Sequence, residues 1–409
     1  MKPHGPIPPG YAADEDGMLL IGGDRADTLA DMAGDTPLFV YDSAILSARV
    51  AEWRAAMPAA VQLHFAMKAN PYAPLLAFMA RLVDGFDVAS GGELKTAIDS
   101  GMAAAHISFA GPGKRDRELE AAIVAGATLN LESAGEGERA LSIATRLGVT
   151  PRLAVRVNPD FDLKGSGMKM GGGAKPFGVD AAEVPALVRH LIAAGADWQG
   201  FHIFAGSQAL DAAAIADTQK QTVALAARLA EEIGATPPLV NLGGGMGVPY
   251  FPGDNAVDAA AVGWALGETL AGRPAVLADS RFAMELGRWL VAEAGVYLAR
   301  VVDRKTSHGE TFLVTDGGLH HQLAASGNFG TVIRRNYPIA VANAFSREPT
   351  ETVSVVGCLC TPLDRLGDQV GLPRADVGDL IAIFQAGAYG ASASPAAFLG
   401  QGPAREMLI

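Results

Sequence analysis

The chain has 409 residues, 49% hydrophobic and 19% charged, enough apolar matter for a large core and more than one domain. A net charge of -12 with no basic cluster to offset it excludes nucleic acid as a partner. No apolar run reaches the roughly 18 residues of a membrane span, the amino terminus has no signal-type apolar segment, and Cys358 and Cys360 are too close in sequence to staple anything. A cytoplasmic protein with no membrane partner and no disulfide framework is expected.

An irregular acidic leader, residues 1–35, precedes a first strand at Pro37–Asp42. Short β-rich runs follow at Val61–Lys68, Phe86–Ser90, Ile107–Gly111, Thr128–Glu132, Leu153–Asn158, Gly200–Gly206, Leu239–Gly244 and Phe282–Leu286. Between most of them lie Ala/Leu-rich segments with helical spacing, such as Glu93–Asp99, Arg117–Ala125 and Ala213–Ile233, often closed by glycine. Strands alternating with helices imply parallel pairing, and eight such units predict an α/β chain with a closed (β/α)8 barrel over residues 36–290. A doubly wound open sheet is the alternative. The glycine-rich stretch Lys164–Lys175 predicts a long, mobile loop within the barrel. From residue 291 to 409 the pattern changes to β runs without long helices, at Val296–Val302, Thr311–Thr315, Thr352–Val356 and Leu380–Phe384, which predicts an all-β domain.

A barrel carries its chemistry at the carboxyl ends of its strands, so polar residues should collect there. Lys68, Asp87 with Ser90, Glu132, Arg156 with Asn158, Ser207, Gly243 to Gly245, and Glu285 with Arg288 all fall at such ends. A solvated rim would also be polar, but it does not call for one lysine, one glycine triplet and one Glu-x-x-Arg. Lys68 reads either as a rim residue or as an amine that apolar walls make nucleophilic, able to hold an aldehyde as a Schiff base. Pyridoxal phosphate is such an aldehyde, and it needs a phosphate cradle, a partner for its pyridine nitrogen and a face to lie against. Leu242-Gly243-Gly244-Gly245-Met246-Gly247 offers backbone N–H groups with no Cβ in the way, though three glycines can equally mean a turn. Arg288 suits the phosphate and Glu285 the ring nitrogen, while an ordinary ion pair is the other reading of the two.

The stretches H-F-A-M-K-A-N-P, F-D-V-A-S-G-G-E-L, G-F-H-I-F-A-G-S-Q, N-L-G-G-G-M-G, E-L-G-R-W-L-V-A-E-A-G, C-L-C-T-P-L-D and G-D-L-I-A-I-F-Q-A-G-A-Y-G occur in that order. Together, over residues 36 to 391, they resemble the fold-type III, pyridoxal-phosphate-dependent amino-acid decarboxylases of the diaminopimelate and ornithine decarboxylase superfamily. The resemblance implies an alanine-racemase-like barrel, a β-sandwich domain joined by the leader, and a homodimer with shared active sites. It implies Lys68 as the cofactor's covalent attachment. Gly243, Gly244, Gly245, Arg288 and Tyr389 would lie on the phosphate, with Gly287 inside the E-L-G-R motif. Glu285 would face the pyridine nitrogen, and Asp87, Arg156 and Ser207 would stand around the cofactor. A carboxylate on that nitrogen favours decarboxylation, whereas racemases of this fold carry an arginine there. Cys360 would reprotonate Cα across the dimer, and Asp364 follows at the family's spacing, beside the substrate. Cys358 reads as a small buried hydrophobe.

Three positions depart from the family pattern. Phe204 stands where a ring-stacking histidine is usual, with His202 two residues earlier near the site. Thr361 replaces the acidic residue that normally meets a distal substrate amine. The R-P-x-L-Y segment that grips a distal carboxylate is absent, replaced by H-Q-L-A-A-S-G-N-F-G-T. The chemistry is expected to be kept and recognition changed. The C-T-P-L-D form is similar to decarboxylases of biosynthetic clusters, some acting on aminoacyl groups tethered to a carrier protein, including exosortase-associated ones, and the uncharged Ser326–Thr331 suits such a substrate. The other classes consistent with the sequence are an amino-acid racemase of this fold and a noncatalytic decarboxylase-like binding or regulatory protein. No metal is expected, since adjacent His320 and His321 have no ligand at the required spacing.

Overall fold

Eight parallel strands close on themselves in a unit built from Val50–Gly247 and Ala256–Gly287. The computed structural model describes residues 1–327 and 334–409, with the backbone alone of Met168 and Lys169. The strands are Val61–Ala66, Gly85–Val88, Ile107–Phe109, Thr128–Leu131, Arg152–Asn158, Asp197–Ile203, Leu239–Asn241 and Arg281–Leu286. Each pairs with the next, and the last returns to the first with Glu285 opposite His64, so the sheet is a barrel and the open alternative is excluded. Most strand residues are buried, as expected when helices cover a sheet whose other face fills the barrel.

The turns after the strands follow from local capping. Ser90 accepts a hydrogen bond from Glu93 N–H at the start of the Gly91–Asp99 helix, while Glu93 accepts from Ala89 N–H. The same device recurs at Ser133 and Glu136, where the helix Ala134–Leu147 begins. These Ser-x-x-Glu caps end the strands sharply and leave Asp87 and Glu132 at the barrel's carboxyl-terminal mouth. Several strands are shorter than their hydrophobic runs predict. Val61–Ala66 stops before Lys68, which sits on a single 3-10 turn, Met67–Ala69. The run ending at Gly206 breaks at Ile203, and Gly206–Ser207 pairs antiparallel with Met168–Lys169, so the glycine-rich stretch holds a short strand within the expected loop. Apolar periodicity continues past the last ladder hydrogen bond because the turning backbone is still buried.

The other unit comprises Met1–Arg49, Val248–Asn255 and Arg288–Ile409. Its organising strand, Gly295–Ser307, pairs antiparallel with Glu310–Thr315, Leu380–Ile383 and Leu38–Tyr41. The Leu38–Tyr41 strand, which the sequence places at the start of the barrel segment, thus belongs to this sheet, where Arg405–Leu408 runs parallel to it. Glu351–Val356, Arg365–Leu372 and Ile339–Val341 complete eight strands. Leu19, Ile21, Leu29, Leu38, Val40, Val296, Leu298, Leu380 and Phe384 form its core, joining leader to sheet. Among the described residues no helix is long and apolar enough to cross a membrane, and no His/Cys/Asp/Glu group could hold a metal.

Candidate active site

At the carboxyl-terminal mouth of the barrel a cavity of about 140 Å3 is lined by Lys68, Asp87, Arg156, His202, Phe204 and Glu285, with Phe177 and Met170. Lys68 Nζ lies 3.8 Å from Glu285 Oε1 and 5.7 Å from the centre of the Phe204 ring. The lysine side chain is 45% exposed and the glutamate 5%, so the amine opens on the cavity while the carboxylate forms its wall. Gly287 sets the Lys68 turn against the strand end, because an added Cβ would stand 3.0 Å from Ala66 O and from Ala69 Cβ.

Glu285 Oε2 is 2.8 Å from His202 Nε2, deep in the barrel. Burial pushes the Glu285 carboxyl up, but the His202 hydrogen bond and charge, with Lys68 and Arg156, outweigh it and bring it down to about 2. Glu285 is therefore an anion at any working pH. Asp87 behaves oppositely. Burial and the charge of Glu285 push it up, and His64 opposes them with Nδ1 3.5 Å from Asp87 Oδ2. Burial alone would lower His64, yet the Asp87 charge raises it, so the titration of each group depends on the other. Arg156 donates to Glu132 Oε1 at 2.8 Å and lies over Phe177, while Gly178 N–H donates to Glu132 Oε2.

The glycine triplet is required sterically. Gly243 and Gly245 have φ of +69° and +108°, and a Cβ on Gly244 would fall 2.0 Å from Glu285 O. The ribbon thus passes directly over the strand that carries Glu285, pinned by the Glu285 N–H to Gly243 O bond of 2.8 Å. Ser207, half-buried, sits opposite Met168 in the short antiparallel pair.

In the other unit Arg288 donates to Tyr250 Oη at 2.9 Å and lies 4.8 Å from the Tyr389 ring centre, and Tyr389 itself has φ of +56°. Cys360 is exposed and Cys358 half-buried, with its thiol pushed up by burial and by Asp364. Asp364 is buried and accepts from Leu319 N–H and Leu359 N–H, at 2.7 and 2.8 Å. Thr361 Oγ1 accepts from Leu363 N–H. The expected substrate stretch Ser326–Thr331 lies outside the described residues from Asn328 onward.

His64 was not singled out from the sequence, although it lies four residues before Lys68 in the same motif, and period-two alternation would have placed it inside the barrel. Phe177 carried no signal, since its place over Arg156 is set by the fold.

A family model described as the pyridoxal-binding domain of pyridoxal-dependent decarboxylases matches residues 43–292. An L-glutamyl-(BtrI acyl-carrier protein) decarboxylase of Niallia circulans is 36% identical over 382 residues, 91% of this chain and 89% of that protein. A diaminopimelate decarboxylase of Archaeoglobus fulgidus is 32% identical over 379 residues, covering 92% and 88%. The solved diaminopimelate decarboxylase of M. jannaschii in co-complex with L-lysine superposes with a TM-score of 0.88 at 26% identity, covering 98% of this chain and 93% of that one. The chain belongs to the pyridoxal-dependent decarboxylases and is a carboxy-lyase of that family.

Proposed function

We propose that the chain decarboxylates an α-amino acid carried as a thioester on an acyl carrier protein, glutamate first among them, as a cytoplasmic homodimer with pyridoxal phosphate as cofactor. The carrying observation is the Cys358–Asp364 loop. Its one carboxylate, Asp364, has both oxygens committed to backbone N–H groups, and Thr361 is uncharged, so the loop offers nothing to a distal ammonium. A tethered aminoacyl group has no such charge at its far end. The relative acting, by its name, on a carrier-borne glutamyl group supports the same reading. Asp364 enters this proposal as the brace of the loop.

The barrel residues fit pyridoxal phosphate. The ribbon at Gly243–Gly245 leaves backbone N–H groups where any Cβ would collide, and an ionised, buried carboxylate shares the cavity with a lysine amine. When bound, the cofactor supplies the sink for the electron pair left on Cα as CO2 departs. Lys68 would hold its aldehyde, the Gly243–Gly245 N–H groups its phosphate, Glu285 its ring nitrogen and Phe204 its face, with Asp87, Arg156 and Ser207 around it. His202 acts through Glu285, keeping that carboxylate oriented and ionised. Arg288 and Tyr389 on the phosphate, and Cys360 as proton donor to Cα across the dimer, are proposed from their sequence motifs.

The test is paired. Carrier-linked L-glutamyl thioester should lose CO2, read by intact mass, while free diaminopimelate and ornithine turn over poorly. A kcat/KM for free diaminopimelate above about 10⁴ M⁻¹s⁻¹ would overturn the substrate assignment. Cys360→Ala should slow product formation about 10²- to 10⁴-fold. Mixing Cys360→Ala with Lys68→Ala subunits should restore part of the activity, and no recovery despite subunit exchange would place the site within one chain.

A further inference from the structure

The barrel has a second polar chamber, at its opposite end. This space, about 60 Å3, is lined by residues at the starts of the strands, among them Gln62, Thr128, Arg152, Leu239 and Arg281, and by His64 from mid-strand. A space of this size with several polar side chains around it has room for water. His64 is 6% exposed and belongs to the chamber lining, while Asp87 belongs to the lining of the Lys68 cavity. Their facing atoms, His64 Nδ1 and Asp87 Oδ2, are 3.5 Å apart, and each is buried without a hydrogen-bond partner. The other ring nitrogen, Nε2, lies over Gly85, where an added Cβ would stand 3.1 Å away. The imidazole thus separates two polar spaces with one nitrogen directed at the carboxylate.

We infer that His64 and Asp87 form a proton relay through the barrel core, joining the cavity of Lys68 to water at the amino-terminal mouth. The need comes from the substrate nitrogen: an amino acid arrives as an ammonium and would have to lose one proton before that nitrogen could act as a nucleophile beside Lys68. The N–H bond breaks and an O–H bond forms on Asp87. That O–H then breaks as Nδ1 of His64 takes the proton, and Nε2 releases its own to chamber water. Departure of the product as an ammonium runs the sequence backward, with no net redox change. A tethered substrate of the kind proposed above would occupy the Lys68 end of the barrel, so a path from the lower mouth would let protons pass while it is bound. His64 is faced by Asp87, Glu285 and Asp84, and Asp87 by His64, Glu285 and His202. Asp84 is engaged by Leu63 N–H and Arg54, which leaves Asp87 as the carboxylate positioned to exchange with the ring.

The inference rests on Lys68 being the reacting amine, so its first readout uses cofactor-free protein. Histidine NMR, with His64→Gln to assign the resonance, should show His64 titrating above the ordinary value and falling in Asp87→Asn. In the loaded enzyme, His64→Gln should keep the visible spectrum of the bound cofactor, lose one ionisation from the pH profile of kcat/KM, and lower its plateau about 10²-fold. Added imidazole should restore part of the activity of His64→Ala. A His64 resonance indifferent to Asp87→Asn overturns the relay. So does a loss of activity in His64→Gln with an unchanged pH profile and no rescue by imidazole, which is what packing alone would give. Absence of the cofactor spectrum from the wild type would instead sink the assignment of Lys68 and leave the NMR coupling standing.

Discussion

Two lysines of the barrel unit stand in opposite surroundings. Lys114 has a side chain 1% exposed, and its amine donates to Gly111 O and Asn130 O at 2.7 and 2.9 Å while forming an ion pair with Glu136 Oε1 at 2.8 Å. Burial pulls its pKa down while Glu136 pulls it back up. Lys68 is 45% exposed, borders the cavity and sits 3.8 Å from its carboxylate. The difference separates a brace from an amine with room to react. A buried amine held by two carbonyls and a buried carboxylate holds structure, whereas an amine on an open cavity beside a fixed anion can exchange its partner.

The largest expected effect breaks that comparison on the Lys68 side. Lys68→Ala should reduce turnover by about 10⁴-fold or more and remove the visible absorption of bound cofactor, while urea denaturation moves by no more than about 0.5 kcal/mol, as for an exposed side chain. Lys114→Met should show the reverse pattern. It strands Glu136 as a buried, uncompensated charge, so stability should fall by about 3–5 kcal/mol in urea denaturation. The fraction still folded should turn over at near wild-type rate. A Lys114→Met protein that is stable but inactive would reverse the two assignments.

Glu285→Gln sharpens the account next, keeping shape while removing charge. A fall of about 10²-fold or more in kcat is expected from losing a preorganised anion, measured at saturating cofactor. It should also change acid stability. The folded pKa of Glu285, about 2, lies below the ordinary carboxylate value, so its ionisation stabilises the fold above roughly pH 4.5, and that contribution is lost as pH falls toward 2. The variant should lack this acid-side loss in pH-dependent unfolding. Asp87 has the opposite sign. Its raised folded pKa contributes stability at low pH that disappears as pH rises above roughly 4, so Asp87→Asn should be more stable than wild type at neutral pH, the smallest effect of the set.

How much of this was visible in the sequence depends on how local each feature is. The eight barrel strands and the glycine triplet were legible because apolar period and steric need for glycine both act within a few residues. The carboxyl ends of the strands were not, since Met67 and Ala69 on either side of Lys68, and Phe204–Ala205, stay apolar after leaving the ladder. Leu38–Tyr41 was readable as a strand but not as a partner of Gly295–Ser307, about 250 residues on, because pairing at that distance leaves no local trace. Lys114 lies in P-G-K-R-D-R-E, which has the look of a solvated charge run, and tertiary packing alone buries it. Asp364 was legible by spacing, but its hydrogen bonds to Leu319 and Leu359 depend on loops meeting in space.

The most direct test of the central claim is to load the protein with pyridoxal phosphate, reduce it with borohydride, digest it and map the modified peptide by mass spectrometry. Reduction makes the bond between cofactor and amine permanent, so the label reports which lysine was joined. The account predicts stoichiometric label on the peptide containing Lys68 and none on that containing Lys114. Label on Lys114, or on neither lysine, would contradict it.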